Sequence, residues 1–196
     1  MTELHTIHIL NKSDLQIDKR EVLRYLRVSK SDAVTDAMVD DYIEEVYKII
    51  TPKAVYTETN LQLLNDVVRF DFMEIKSHSL SANLEGCTKA YFFVATLGVE
   101  LDREIEKYSK FLQSKSTIYH AIGSALIESF CDYITNTLTE NQQPTRRFSP
   151  GYGDLSLEYQ RQFLKSLDAH RKIGIALSDS LLMIPSKSVT AIIGIK

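Results

Sequence analysis

The stretch KAYFFVAT, residues 89–96, constrains the fold more than any other segment. Ala90 to Ala95 is an unbroken apolar run. A strand with one wet face alternates polar and apolar residues; this one does not, so it predicts a central strand covered on both faces. Such a strand needs neighbours on each edge and a layer of structure above and below. The C-terminal SVTAIIGI offers one neighbour, with Val189, Ala191, Ile193 and Ile195 on one face. VVRFDFMEI, residues 67–75, offers another: Val68, Phe70 and Phe72 alternate with Arg69 and Asp71, which predicts a half-buried strand. Ala54 to Tyr56 reads as a short extended piece.

Helical spacing supplies the covering layers. DKREVLRYL, residues 18–26, predicts a short helix, and Met38, Val39, Tyr42, Ile43, Val46, Tyr47 and Ile50 mark a second one stopped by Pro52. SLSANLEG predicts a short helix closed by Gly86. Leu101, Ile105, Tyr108 and Leu112 mark a further helix. The longest and most buried follows, through Ile118, Ile122, Leu126, Phe130 and Ile134. Leu157, Gln160, Phe163, Leu164 and Leu167 mark the last, with Ser156 as its expected N-cap. The strands and helices interleave irregularly, so the fold class is α+β, with a curved mixed or antiparallel sheet and flanking helices. A single domain over 1–196 is expected, with a helical N-terminal part in 1–60 and a core in 61–196.

Charge and composition exclude several classes. The net charge of −3 and the lack of a basic run argue against a nucleic-acid binder. The longest apolar run is far below the roughly 20 residues of a membrane span, and MTELHTIHILNKSDLQ lacks the features of a secretion signal. A cytoplasmic location is expected. Cys87 and Cys131 have no metal-ligand spacing and read as buried free thiols. His5, His8, His78 and His120 are scattered and form no metal-binding motif.

The chain has only 7 Gly and 4 Pro, yet Pro150, Gly151 and Gly153 crowd into RRFSPGYGD. Pro150 fixes its own φ, and the glycines permit φ > 0 and close approach to their backbone. Arg147 offers a bidentate fork for a carboxylate or phosphate, and Tyr152 offers a face or a hydroxyl. These parts suit a pocket for a small anionic group. The plainer reading is a loop-to-helix turn that uses glycine for geometry alone. No nucleotide fingerprint of the G-x-G-x-x-G or G-x-x-x-x-G-K-[ST] type is present.

RFSPGYGD, followed by IGIALSDSLLMIPSKSVTAIIG, resembles the activation (reactivation) domain of cobalamin-dependent methionine synthase. FFVATLGVELDREIEKY and HAIGSALIESFCDYI are similar to that domain's central strand and helices, and the resemblance covers residues 85–195. The N-terminal DKREVLRYLRV is more like the stand-alone members, in which the domain is a separate subunit. The large synthases carry Pro, Ala and Pro where this chain has Phe148, Ser149 and Gly153. What the resemblance implies is S-adenosylmethionine binding by Arg147, Ser149, Gly151 and Tyr152, with Glu128 contributed by the long helix. It implies a partner: a cobalamin-dependent methionine synthase that lacks its own activation domain and carries the cobalamin. A flavodoxin-like electron donor is a further implied partner. The chain would then be a subunit of a methyltransferase rather than an enzyme by itself. Two other functions stay open: a ligand-binding or interaction protein for a corrinoid protein, and reactivation of another corrinoid methyltransferase.

DAHRKIG, residues 168–174, approaches the D-x-H-x-x-G signature by which some proteins give a histidine to cobalamin, but Gly174 falls one residue late. The cobalamin is therefore expected on the partner. Lys187, in PSKSV, reads as an anion or partner contact, or equally as a solvated turn lysine.

Overall fold

Residue-by-residue packing around KAYFFVAT builds the architecture. A computed structural model describes residues 6–9, 15–28 and 32–196. The KAYFFVAT strand, β5 (Lys89–Thr96), lies between two antiparallel neighbours, the long β2 (Lys53–Leu64) and the C-terminal β8 (Ser188–Ile195). The outer edge of β2 is shared. Its first residues pair with β1 (Thr6–Ile9) and its last with β3 (Val67–Phe70), which in turn pairs with β4 (Glu74–Lys76). The result is a six-stranded antiparallel sheet, so the antiparallel form of the expected α+β sheet is the one observed. Strand β2 also runs through residue 60, the expected border between a helical N-terminal part and the core.

Two apolar layers sandwich β5, as an all-apolar strand demands. Phe93 and Ala95 point into one layer, with Ala191 and Ile193 of β8. That layer is roofed by α2 (Ala33–Ile49), α4 (Val99–Ser109) and the 26-residue α5 (Gln113–Leu138), and α1 (Lys19–Tyr25) adds Val22. Phe92 and Val94 point into the other, with Val68, Phe70 and Ile192. There Phe92 meets Phe70 at 4.7 Å and Phe163 at 4.8 Å between ring centroids. Phe163 belongs to α6 (Tyr159–Ser166), which covers this face with α3 (His78–Asn83) and α7 (Ala169–Ile173). A short hairpin of β6 (Ala176–Leu177) and β7 (Met183–Ile184) completes the chain before β8.

Two local expectations are corrected and one holds. The alternation across 67–75 is not one strand: the chain turns at residues 71–73, where the Phe70 amide donates to the Met73 carbonyl at 2.8 Å, and β3 folds back on β4. Phe72 therefore lies half out of the protein at the turn, although its ring still meets Phe92 at 5.0 Å. Helix α6 starts at Tyr159, with Glu158 in the cap position, so Ser156 only braces the preceding turn by accepting from the Glu158 amide. Both cysteines are free and buried, and burial pushes each thiol above its usual range.

The glycine-rich turn has a clear structural duty. Asp154 follows it and caps the start of α3. One carboxylate oxygen accepts from the Ser77 hydroxyl at 2.6 Å and the Ser79 amide at 3.0 Å, and the other from the His78 amide at 2.8 Å. These donors hold the Asp154 carboxyl far below its ordinary value of 3.8. To reach α3 the turn must pass against Ser79. A Cβ at Gly153 would lie 2.5 Å from the Ser79 hydroxyl oxygen, and φ there is +54°.

Gly153→Ala should lower stability by about 1–3 kcal/mol, from strain plus contact. Gly151→Ala, at φ +94° but with Leu157 at 3.6 Å, should lose only the strain. Urea unfolding of both variants measures the difference. Because the folded Asp154 value lies below the unfolded one, its stabilisation is complete above the ordinary carboxylate range and is lost on acidification below it. Asp154→Asn should flatten the acid limb of a stability–pH profile.

Candidate functional site

The segment between α5 and the glycine turn is stitched to the free edge of β8. The Thr145 amide donates to the Gly194 carbonyl at 2.9 Å, and Phe148 and Ile192 exchange both backbone hydrogen bonds, at 2.9 and 2.8 Å. Ser149 adds a bond from its hydroxyl to the Thr190 carbonyl at 2.6 Å. This pairing satisfies an edge that would otherwise stand open. It also decides where the side chains of Arg147, Ser149 and Tyr152 emerge.

Arg147 emerges over α5. Its guanidinium donates to Asp132 at 2.6 Å and to Glu128 at 2.9 Å. Glu128 and Asp132 are four residues apart on one helix face, where two carboxylates repel unless a cation sits between them. Arg147 is that cation. The guanidinium is thus no vacant fork, as the sequence suggested; it is already engaged by two acids, with three of its five N–H groups left over. These three side chains, with Ser149, Tyr152 and Val189, border a cleft of about 400 Å³.

A second cleft of about 370 Å³ adjoins it and shares Ser149, Tyr152 and Val189. Its walls are mostly apolar, from Leu157, Leu181 and Met183, and its polar groups include Gln160, Ser186, Ser188 and Thr190. Tyr152 stands at the border of the two clefts. It is 56% exposed, and its ring meets the Phe148 ring edge-on at 6.0 Å between centroids. One cleft therefore offers fixed charges of both signs, the other an apolar slot, with an aromatic face between them.

Of the five expected ligand residues, the fold brings Glu128, Arg147, Ser149 and Tyr152 together. Gly151 lines neither cleft. Its amide donates to the Leu155 carbonyl at 2.8 Å and the Tyr152 amide to the Ser149 carbonyl at 3.0 Å, so the turn consumes these donors internally. Ser149 likewise spends its hydroxyl proton on Thr190. Sequence reasoning missed Asp132, although its i,i+4 spacing from Glu128 was a usable signal. It also missed Gln160 as a cleft residue, having read it as one position in an apolar stripe.

Two other sequence candidates resolve differently. Lys187 is no solvated turn lysine: it is buried, and its ammonium meets His120 Nδ1 and the Ser124 hydroxyl, each at 3.0 Å. Burial holds it below its usual range, against the pull of Asp102. His170 is exposed on α7, beside Arg161, Lys165 and Asp168. His5 lies outside the described residues. Among the described residues no three His, Cys, Asp or Glu side chains cluster to hold a metal ion, and no helix is long and apolar enough to cross a membrane.

No protein-family model matches the sequence, and no curated protein matches it. Solved structures do. One is a crystal structure of the MetH reactivation domain bound to AdoHcy, with a TM-score of 0.76 over 97% of this chain and 78% of that one, at 14% identity. This chain has the reactivation-domain fold. The arrangement of β5 between β2 and β8, with helices on both faces, is that fold's antiparallel sheet.

Replacing Arg147 tests the electrostatics directly. In Arg147→Met, Glu128 and Asp132 face each other without their cation, so stability should fall by about 0.5–1 kcal/mol, and the loss should shrink at high salt; urea unfolding at low and high ionic strength checks both.

Proposed function

We propose that this protein binds S-adenosylmethionine in the paired clefts and serves as a reactivation subunit for a cobalamin-dependent methionine synthase that lacks its own activation domain. The observation that carries this reading is the coincidence of fold and site. The MetH reactivation domain of matching fold was crystallised with AdoHcy, and here the RFSPGY segment builds a charged cleft next to an apolar one.

The chemistry of the two clefts suits the two ends of such a ligand. Its amino-acid end carries a carboxylate and an ammonium. The N–H groups of Arg147 not used by Glu128 and Asp132 are donors for the carboxylate, and those two acids are acceptors for the ammonium. The base of its nucleoside end is flat, with two largely apolar faces, which suits the slot between Leu157 and Met183. Tyr152, at the border, offers its ring face to the sulfonium between the two ends. Gly151 acts through the shape of the turn, and Ser149 through its anchor on Thr190.

Methyl transfer from a sulfonium needs no general acid or base, so no residue is assigned that role. The corrinoid, carried by the partner, supplies the methyl acceptor. This chain's residues bind the donor, orient it and exclude water around it. Reduction of the corrinoid before transfer falls to a separate electron donor of the flavodoxin type.

Calorimetric titration with S-adenosylmethionine should give saturable binding, weakened by roughly 1–3 kcal/mol in Arg147→Ala through loss of a charge-assisted contact. Affinity unchanged in that variant would remove the carboxylate assignment. Absence of binding, both alone and with a candidate synthase present, would overturn the reading. Binding without methyl transfer to the partner's reduced corrinoid would favour a sensor or scaffold role instead.

A further inference from the structure

Gln160 is one of the few polar side chains almost wholly removed from solvent, at 4% exposure. It sits in the first turn of α6 and closes the floor of the apolar cleft. Its carboxamide oxygen accepts from the Thr190 hydroxyl at 3.0 Å. Thr190 is itself immobilised: it lies in β8, paired with Val94 of β5, and its carbonyl accepts from Ser149. The carboxamide nitrogen has no protein partner among the described residues and is not sealed in, so its N–H groups face the cleft. In the free protein this donor is open to water, and a ligand acceptor placed there would take over that hydrogen bond in a drier setting.

What could supply that acceptor is limited by the walls. Leu157, Leu181 and Met183 favour a flat apolar body over a phosphate or a sugar. Beside its N–H groups Gln160 presents the second lone pair of its oxygen, a donor next to an acceptor. That pattern complements the adenine edge, where a ring nitrogen accepts and the exocyclic amine donates. We propose that Gln160, clamped by Thr190, is the residue that recognises the base of a bound adenosine moiety. This assignment rests on the S-adenosylmethionine reading, and it places the adenine of that ligand in the cleft floored by α6 and β8.

Two probes separate this inference from the reading beneath it. Adenosine has the base without the amino-acid end; S-adenosylmethionine has both. Two variants separate recognition from support. Gln160→Met and Thr190→Val each break the Gln160–Thr190 hydrogen bond, but only the first removes the amide donors. Adenosine should bind the parent protein and lose about tenfold in Gln160→Met, less than threefold in Thr190→Val, and nothing in Arg147→Ala. S-adenosylmethionine should follow the same order for Gln160→Met and Thr190→Val, while also weakening in Arg147→Ala. Equal losses in Gln160→Met and Thr190→Val would mean that only the clamp matters, and would overturn the recognition role. Parent-like adenosine affinity in Gln160→Met would overturn it too. S-adenosylmethionine binding that depends on Arg147 but not on Gln160 would leave the proposed function standing and remove this assignment. An absence of adenosine binding to the parent protein would also remove it.

Discussion

The hydrogen bonds between residues 145–149 and β8 are the constraint on which the site depends. β8 is the outermost strand of the sheet, and a bare edge of eight mostly apolar residues would invite pairing with another chain. Covering it with a loop rather than a strand has a consequence. The loop follows β8 from Gly194 back to Thr190 and then turns away at Pro150 toward α3. Arg147 is left over α5 on one side of this seam and Tyr152 over the apolar slot. The clefts are the spaces that remain between the seam, the long helix and the β6–β7 hairpin. Loosening the seam would therefore disperse the site before it disturbed either apolar layer.

The glycines between Pro150 and Asp154 belong to the same economy. The sequence allowed two accounts, an anion-binding loop and a geometric turn, and the structure gives each a share. Backbone donors at 151 and 152 close the turn on itself. Gly153 lets it pass Ser79, so that Asp154 can hold the three donors at the start of α3. The turn then reaches the site indirectly, by fixing the height of Tyr152 above the clefts. What the turn contributes is therefore where Tyr152 stands, not an additional amide donor in the clefts.

How much of this was legible depended on whether a residue's chemistry matched its location. KAYFFVAT could only be a central strand, and the 3.6-residue stripe of α5 could only be a buried helix. β2 was read too short because its inward positions include Thr57 and Thr59, which are buried yet look polar. The β3–β4 hairpin was hidden because Phe72, at its turn, continued the alternation of Val68 and Phe70. At the site, Arg147 and Tyr152 stood out by the loop's own chemistry and Glu128 through a family resemblance, while the acid that completes the charged cleft, Asp132, looked like any solvated helix residue. Gln160 passed for part of an apolar stripe since it is indeed buried; only the tertiary contact with Thr190 shows which end of the amide is free. Lys187 shows the converse: a lysine next to a proline turn looks solvated until α5 is seen to lie against it.

Helix α5 ties these features together. At 26 residues it is about 39 Å long, and three polar contacts fix it along its length. Near its start the Lys115 ammonium sits 4.6 Å from the Tyr42 ring, 4.5 Å from that of Tyr108 and 5.2 Å from that of Tyr119. Its partner Glu45 lies at 2.5 Å, so α2, α4 and α5 share one cation. In the middle, His120 and Ser124 receive Lys187 from the chain entering β8. Near its end Glu128 and Asp132 receive Arg147 from the chain beside β8. Each contact joins the helix to a different part of the protein through a lysine or arginine that is at least half removed from water, where a charged contact is screened less than at the surface. Apolar packing alone would let a helix with so uniform a stripe rotate or slide by a turn against the sheet. The three cations remove that freedom, and the register they impose sets Glu128 and Asp132 opposite Arg147, with the apolar cleft immediately beyond Tyr152.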